Sequence, residues 1–97
     1  MSLLYDIFED VNRFVLQPGI GDIDAIILLS PSKNMIHFEL SGDEFHNVVE
    51  KWKELGWQEI GYVKKRDVIV EVKINIDGRE FINRMIIQMG GYLVNFQ

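Results

Sequence analysis

The sequence predicts an α+β fold: a ferredoxin-like βαββαβ core preceded by one extra helix and one extra strand. Three observations carry that expectation. Ser41-Gly42-Asp43-Glu44 and Asp77-Gly78-Arg79-Glu80 both have the spacing of a helix capping box. Each follows a strand-like run. Each opens a stretch of helical period that ends in glycine, at Gly56 and at Gly90-Gly91. From Met35 to Phe96 the order is then strand–helix–strand–strand–helix–strand. The expected result is a mostly antiparallel five-stranded sheet with its helices on one face.

The first segment reads as a helix. Leu4, Ile7, Phe8, Val11, Phe14 and Val15 recur at helical spacing and make one apolar stripe. Ser2 is placed to cap it, Glu9 and Arg13 are spaced for an i,i+4 ion pair, and Pro18-Gly19 stops it. Gly19-Ile20-Gly21 follows a helix and precedes a strand, the reverse of a phosphate-binding context. Ile23 to Ser30 is apolar on both faces, which predicts a central strand. Pro31-Ser32-Lys33-Asn34 is turn chemistry. Met35 to Leu40 alternates, with Ile36, Phe38 and Leu40 on one face and His37 and Glu39 on the other.

In the second helix, Ser41 is the expected cap. Phe45, Val48, Val49, Trp52 and Leu55 form the expected buried stripe. Trp57 to Val63 is the next strand, with Lys65-Arg66-Asp67 at its turn, and Val68 to Ile76 is the strongest strand of the chain. The stretch that follows has two readings. Asp77-Gly78 is a two-residue hairpin signal, and a hairpin would set Asn83 opposite Val72 and Ile82 opposite Lys73. A helix would gather Phe81, Ile82, Met85, Ile86 and Met89 on one stripe, and the agreement of cap, period and stop favours it. Tyr92 to Phe96 is the last strand. The extra strand at Ile23–Ser30 fits between that last strand and the strand at Met35–Leu40.

Ninety-seven residues make one domain, 1–97, and at 47% hydrophobic with two Trp, three Tyr and six Phe it can fill a core unaided. The absence of cysteine excludes disulfides and thiolate chemistry. No apolar run approaches the ~20 residues of a membrane span, and no basic segment precedes an apolar one at the start, so a cytoplasmic location in a cell or host is expected. The net charge is −5 and unevenly placed. Up to Val48, Asp6, Glu9, Asp10, Asp22, Asp24, Glu39, Asp43 and Glu44 face only Arg13 and Lys33.

Candidate chemistry is thin. His37 and Glu39 share a strand face and are the pair to watch for acid–base work. Asp43, His46 and Glu50 share a helix face, but neither group has the spacing of a metal site. Ser41 is spent as a cap. No cofactor or metal is expected, and no enzymatic activity. Lys64-Lys65-Arg66 could touch phosphates, but the acidic total disfavours nucleic acid; the plainer role is protecting an edge strand.

The run from Ile36 to Val63 is similar in layout to ACT-type regulatory domains. Leu40-Ser41-Gly42-Asp43, the stripe at Phe45, Val48, Val49 and Trp52, and Gly56-Trp57 carry the likeness. The resemblance implies a ferredoxin-like dimer that binds amino acids. The proline usual in that family's loop is absent, and the first helix and strand are additional.

Charge and aromatic usage favour another function: a non-catalytic acidic protein-binding module of inhibitor, immunity or anti-defence type, acting as a homodimer on a partner with a basic surface. The expected contact residues are Asp6, Glu9, Asp10, Asp22, Asp24 and Trp57. Trp57 is expected on the face opposite Ile60 and Tyr62, reaching the open side of the sheet or its rim. An ACT-like sensing domain is the alternative.

Overall fold

The structure, a computed structural model, describes residues 3–96. Its elements are α1 (Leu3–Val15), β1 (Ile23–Leu29), β2 (Ile36–Leu40), α2 (Phe45–Glu54), β3 (Gln58–Arg66), β4 (Ile69–Ile76), β5 (Arg79–Gln88) and β6 (Tyr92–Asn95). The strands form one six-stranded sheet in the order β2-β1-β3-β4-β5-β6, each antiparallel to its neighbours. The α+β class is as expected. The sheet has six strands instead of five, and the ferredoxin-like order is not reproduced.

α1 is held by its apolar stripe. Ile7, Val11 and Val15 are buried against Ala25 and Ile27 of β1, Val63 of β3 and Val70, Val72 and Ile74 of β4. Phe14 stacks on Phe38 of β2 at 4.5 Å between ring centroids. The expected Glu9–Arg13 pair is replaced by Arg13 donating to Asp10 at 2.6 Å. The Ser2 cap lies outside the described residues.

α2 covers the opposite face, correcting the expectation that both helices share one side. Side chains alternate along β2, so His37 points away from Phe38, and His37 stacks on Trp52 of α2 at 4.3 Å. β1 is therefore enclosed on both sides: Ile27, Leu28 and Leu29 are all buried. Because β2 and β3 both run antiparallel to β1, they are parallel to each other, and β2–α2–β3 is a split βαβ unit with β1 between its strands. The ferredoxin-like plan needs this unit twice and this chain has it once. The extra strand lies between β2 and β3, not beside the last strand.

The second unit is missing because residues 79–88 are strand, not helix. Asp77 (φ 53°) and Gly78 (φ 75°) both adopt left-handed backbone, the requirement of a two-residue hairpin turn. The turn feeds an eight-pair ladder from Ile76↔Arg79 to Ile69↔Ile86, with Val72 opposite Asn83 and Lys73 opposite Ile82. The apparent helical stripe divides between the two sheet faces. Phe81 and Met85 turn toward α1, Ile82 and Ile86 the other way, and Met89 lies beyond the end of β5, 94% exposed.

The start of α2 also differs. Glu44 is the N-cap and its side chain makes no cap bond; Ser41 spends its amide on the Asp24 carbonyl at 2.9 Å. Leu55, assigned to the buried stripe, is 71% exposed. The glycine stop is as expected: at Gly56 (φ 93°) the amides of Gly56 and Trp57 donate to the Lys53 and Trp52 carbonyls, closing the helix.

Candidate protein-binding surface

The six expected contact residues fall into three places. Asp6, Glu9 and Asp10 stand on α1, whose buried stripe fixes them on the outer side of one sheet layer. Arg13, the one basic residue of that helix, is taken by Asp10, and Asp10 and Glu9 together raise its pKa, the Asp10 hydrogen bond contributing most. Asp22 and Asp24 have structural duties. Asp22 Oδ1 accepts from the Asp67 amide at 2.8 Å, and Asp24 pairs with Arg66 at 2.7 Å. They tie the start of β1 to the β3–β4 turn. Trp57 lies at the far end of β1 from Asp24, beside Gln58, which pairs with Leu29.

Trp57 meets Trp52 edge-on at 4.7 Å and His37 at 6.5 Å, so it belongs to an aromatic cluster under α2. Glu39 is hydrogen-bonded to His37 Nε2 at 2.8 Å, completing the pair picked from the sequence. The structure thus brings together the His37–Glu39 pair and both tryptophans, and leaves the acidic residues apart from them. Among the described residues no group of three His, Cys, Asp or Glu side chains could hold a metal ion, and no described helix is long and apolar enough to cross a membrane.

The Lys64-Lys65-Arg66 run has three separate roles. Lys64 sits 5.1 Å from the Tyr62 ring centroid. Lys65, only 7% exposed, donates to the Ile20 and Gly21 carbonyls. Arg66 donates to Asp24 and to the Ile23 and Lys65 carbonyls. The edge-protection role is overturned, since β3 lies between β1 and β4 inside the sheet.

A register irregularity on β3 sets the next feature. Ile27 pairs with Gly61 and Leu28 with Glu59, leaving Ile60 as an extra residue. This bulge keeps Ile60 in the core and puts Glu59 and Tyr62 on the α2 side, where an unbulged strand would separate them. They line a groove of about 510 Å³ with Ile26, Phe45, Lys64 and Arg66. Beyond it no described helix covers the sheet face. Tyr62 donates to Glu71 at 2.9 Å, Arg84 donates to Glu71 at 3.1 Å, and Lys73 pairs with Glu80 at 3.3 Å. The Tyr62 bond, then Arg84, holds the Glu71 carboxyl below the ordinary range; the same bond raises the Tyr62 phenol.

Past these charges the face turns apolar. Ile69, Ile86 and Val94 lie in one row across β4, β5 and β6, flanked by Tyr92 and Phe96. Ile69, Ile82, Tyr92, Val94 and Phe96 are 38–56% exposed. The helical assignment of residues 79–88 concealed this patch, although the hairpin register implied by Asp77-Gly78 already places Ile82 beside Lys73. No protein-family model, curated protein or solved structure matches the chain.

Proposed function

We propose that the chain is a non-catalytic protein-binding module of inhibitor, immunity or anti-defence type, acting as a homodimer that masks a basic surface on its target. The observation that carries this reading is the outer side of α1. Asp6, Glu9 and Asp10 are borne there by a helix docked through buried Ile7, Val11 and Val15, and its single basic residue is neutralised by Asp10. Carboxylates on a docked helix need little reorganisation to meet a cationic surface, and the net charge of −5 steers such an encounter.

The groove beside α2 favours a second reading, a sensing domain of ACT-like shape. Its apolar floor of Ile26, Phe45 and Tyr62 has carboxylates and cations at its rim, a lining suited to a small zwitterion. Loss of the second helix from the plan removes part of the basis for that analogy.

Capture from native lysate on immobilised wild-type and Glu9→Lys/Asp10→Lys chains, with calorimetry against free amino acids, separates the two. Stoichiometric capture of a basic protein by wild type alone supports protein binding. Saturable heat with an amino acid and no captured protein supports sensing and contradicts the first reading.

A further inference from the structure

We infer that two copies of this chain join through β6, pairing antiparallel across a two-fold axis at Val94 to make one continuous twelve-stranded sheet. The inference deepens the homodimer element of the proposed function by naming its interface, and it does not depend on which target the acidic helix meets.

β6 is the last strand of the sheet, and among the described residues it pairs with β5 alone. The Phe96 amide donates to the Arg84 carbonyl at 3.2 Å. In an antiparallel ladder the bonded pairs alternate, so Tyr92, Val94 and Phe96 direct their backbone groups to β5. Leu93 and Asn95 direct theirs outward. An edge that presents free N–H and C=O groups is a template for another strand unless charge, proline or a bulge blunts it. Tyr92-Leu93-Val94-Asn95 contains no charged residue and no proline.

The edge is self-complementary. With Val94 opposite its own copy, Leu93 falls opposite the second copy's Asn95, so the outward groups meet each other in both halves. Tyr92 falls opposite the second copy's Phe96. The Val94–Val94 pair and the two Tyr92–Phe96 pairs lie on the open face, and the Leu93–Asn95 pairs lie on the α1 face, because directly opposed residues share a face. The open-face row Ile69–Ile86–Val94 then continues into the same row of the second copy. An isologous contact of this kind closes at two.

Charge favours a second copy over a cationic partner here. The nearest charges on this face are already matched, Arg84 and Lys73 by Glu71 and Glu80. The excess carboxylates of α1 lie in the other layer, beyond the opposite sheet face. Two chains of net charge −5 repel as wholes, so added salt strengthens this contact, whereas it weakens docking of a basic target on α1.

Sedimentation equilibrium on the purified chain tests the inference, with amide hydrogen exchange beside it. The expected mass is twice the 11.3 kDa chain. Val94→Lys sets two cations face to face on the axis, and Asn95→Pro removes an outward donor that β5 does not use. Each is expected to give the single-chain mass with an unchanged far-ultraviolet spectrum. In wild type the Leu93 and Asn95 amides are expected to exchange as slowly as that of Val94. Glu9→Lys/Asp10→Lys is expected to remain dimeric, so failure of the acidic-helix reading leaves this result intact. A single-chain mass for wild type, fast exchange at Leu93 and Asn95, or a dimer that survives both edge variants while folded would overturn it.

Discussion

Gly61 has no room for a side chain. A Cβ there would land on the Lys73 carbonyl oxygen and within 3.0 Å of the Ile74 Cα, both backbone atoms that cannot swing aside. Gly61→Ala is expected to cost about 3 kcal/mol or more in a denaturant melt, while Gly42→Ala, with nothing within 4 Å, stays within about 0.5 kcal/mol. The Tyr62–Glu71 bond gives the residue scale its pH dependence. Glu71 is lowered, so its contribution is present above the unfolded carboxylate value and is lost as pH falls through the lowered one. Tyr62 is raised, so its contribution is present below the unfolded phenol value and is lost as pH rises through the raised one. Tyr62→Phe should move the Glu71 midpoint up toward the ordinary carboxylate value in an NMR titration. An unmoved midpoint would mean that Arg84 alone sets it.

The elements divide by how local their signals are. Gly56 was legible because a left-handed residue after a helical stripe closes the helix within six residues. α1 was legible because its stripe and its Pro18-Gly19 stop do not depend on anything distant. Asp77-Gly78 was ambiguous because its spacing to Glu80 matches a capping box while its backbone demand matches a turn. Only the ladder with β4, a non-local fact, decides between them. Ser41 misled for the reverse reason. Its spacing fits a cap, but its amide is drawn to Asp24 on β1, and the helix begins at Phe45. Ser41→Ala is accordingly expected to change stability by less than about 0.5 kcal/mol; a loss near 1 kcal/mol would restore the cap. Gly78→Ala should cost about 1–2 kcal/mol, because φ stays at 75° in the turn. Backbone chemical shifts from Arg79 to Gln88 should be extended, and helical values there would contradict the sheet order.

At the scale of the whole molecule, the candidate surface was legible in part. The acidic helix could be read from charge and period together, since both are properties of one segment. Asp22 and Asp24 could not be separated from it, because the Asp67 amide and Arg66 that hold them are more than 40 positions away. Trp57 was expected on the open side of the sheet or its rim; its ring meets Trp52 and His37 under α2. The open apolar patch was hidden until residues 79–88 were a strand between β4 and the expected last strand. The molecule then has two surfaces of different kind, an acidic helix and an uncharged edge, which we propose serve a basic target and a second copy respectively. Salt should act on them in opposite directions.

The association rate of the captured target is the most direct measurement. It should be followed by surface-based kinetics at low and physiological ionic strength, for wild type and for Glu9→Lys/Asp10→Lys. Acidic steering predicts an on-rate that falls on adding salt and falls again, by about tenfold or more, on charge reversal, with the melting curve unchanged. An on-rate that ignores both salt and the reversal would contradict binding through the acidic helix.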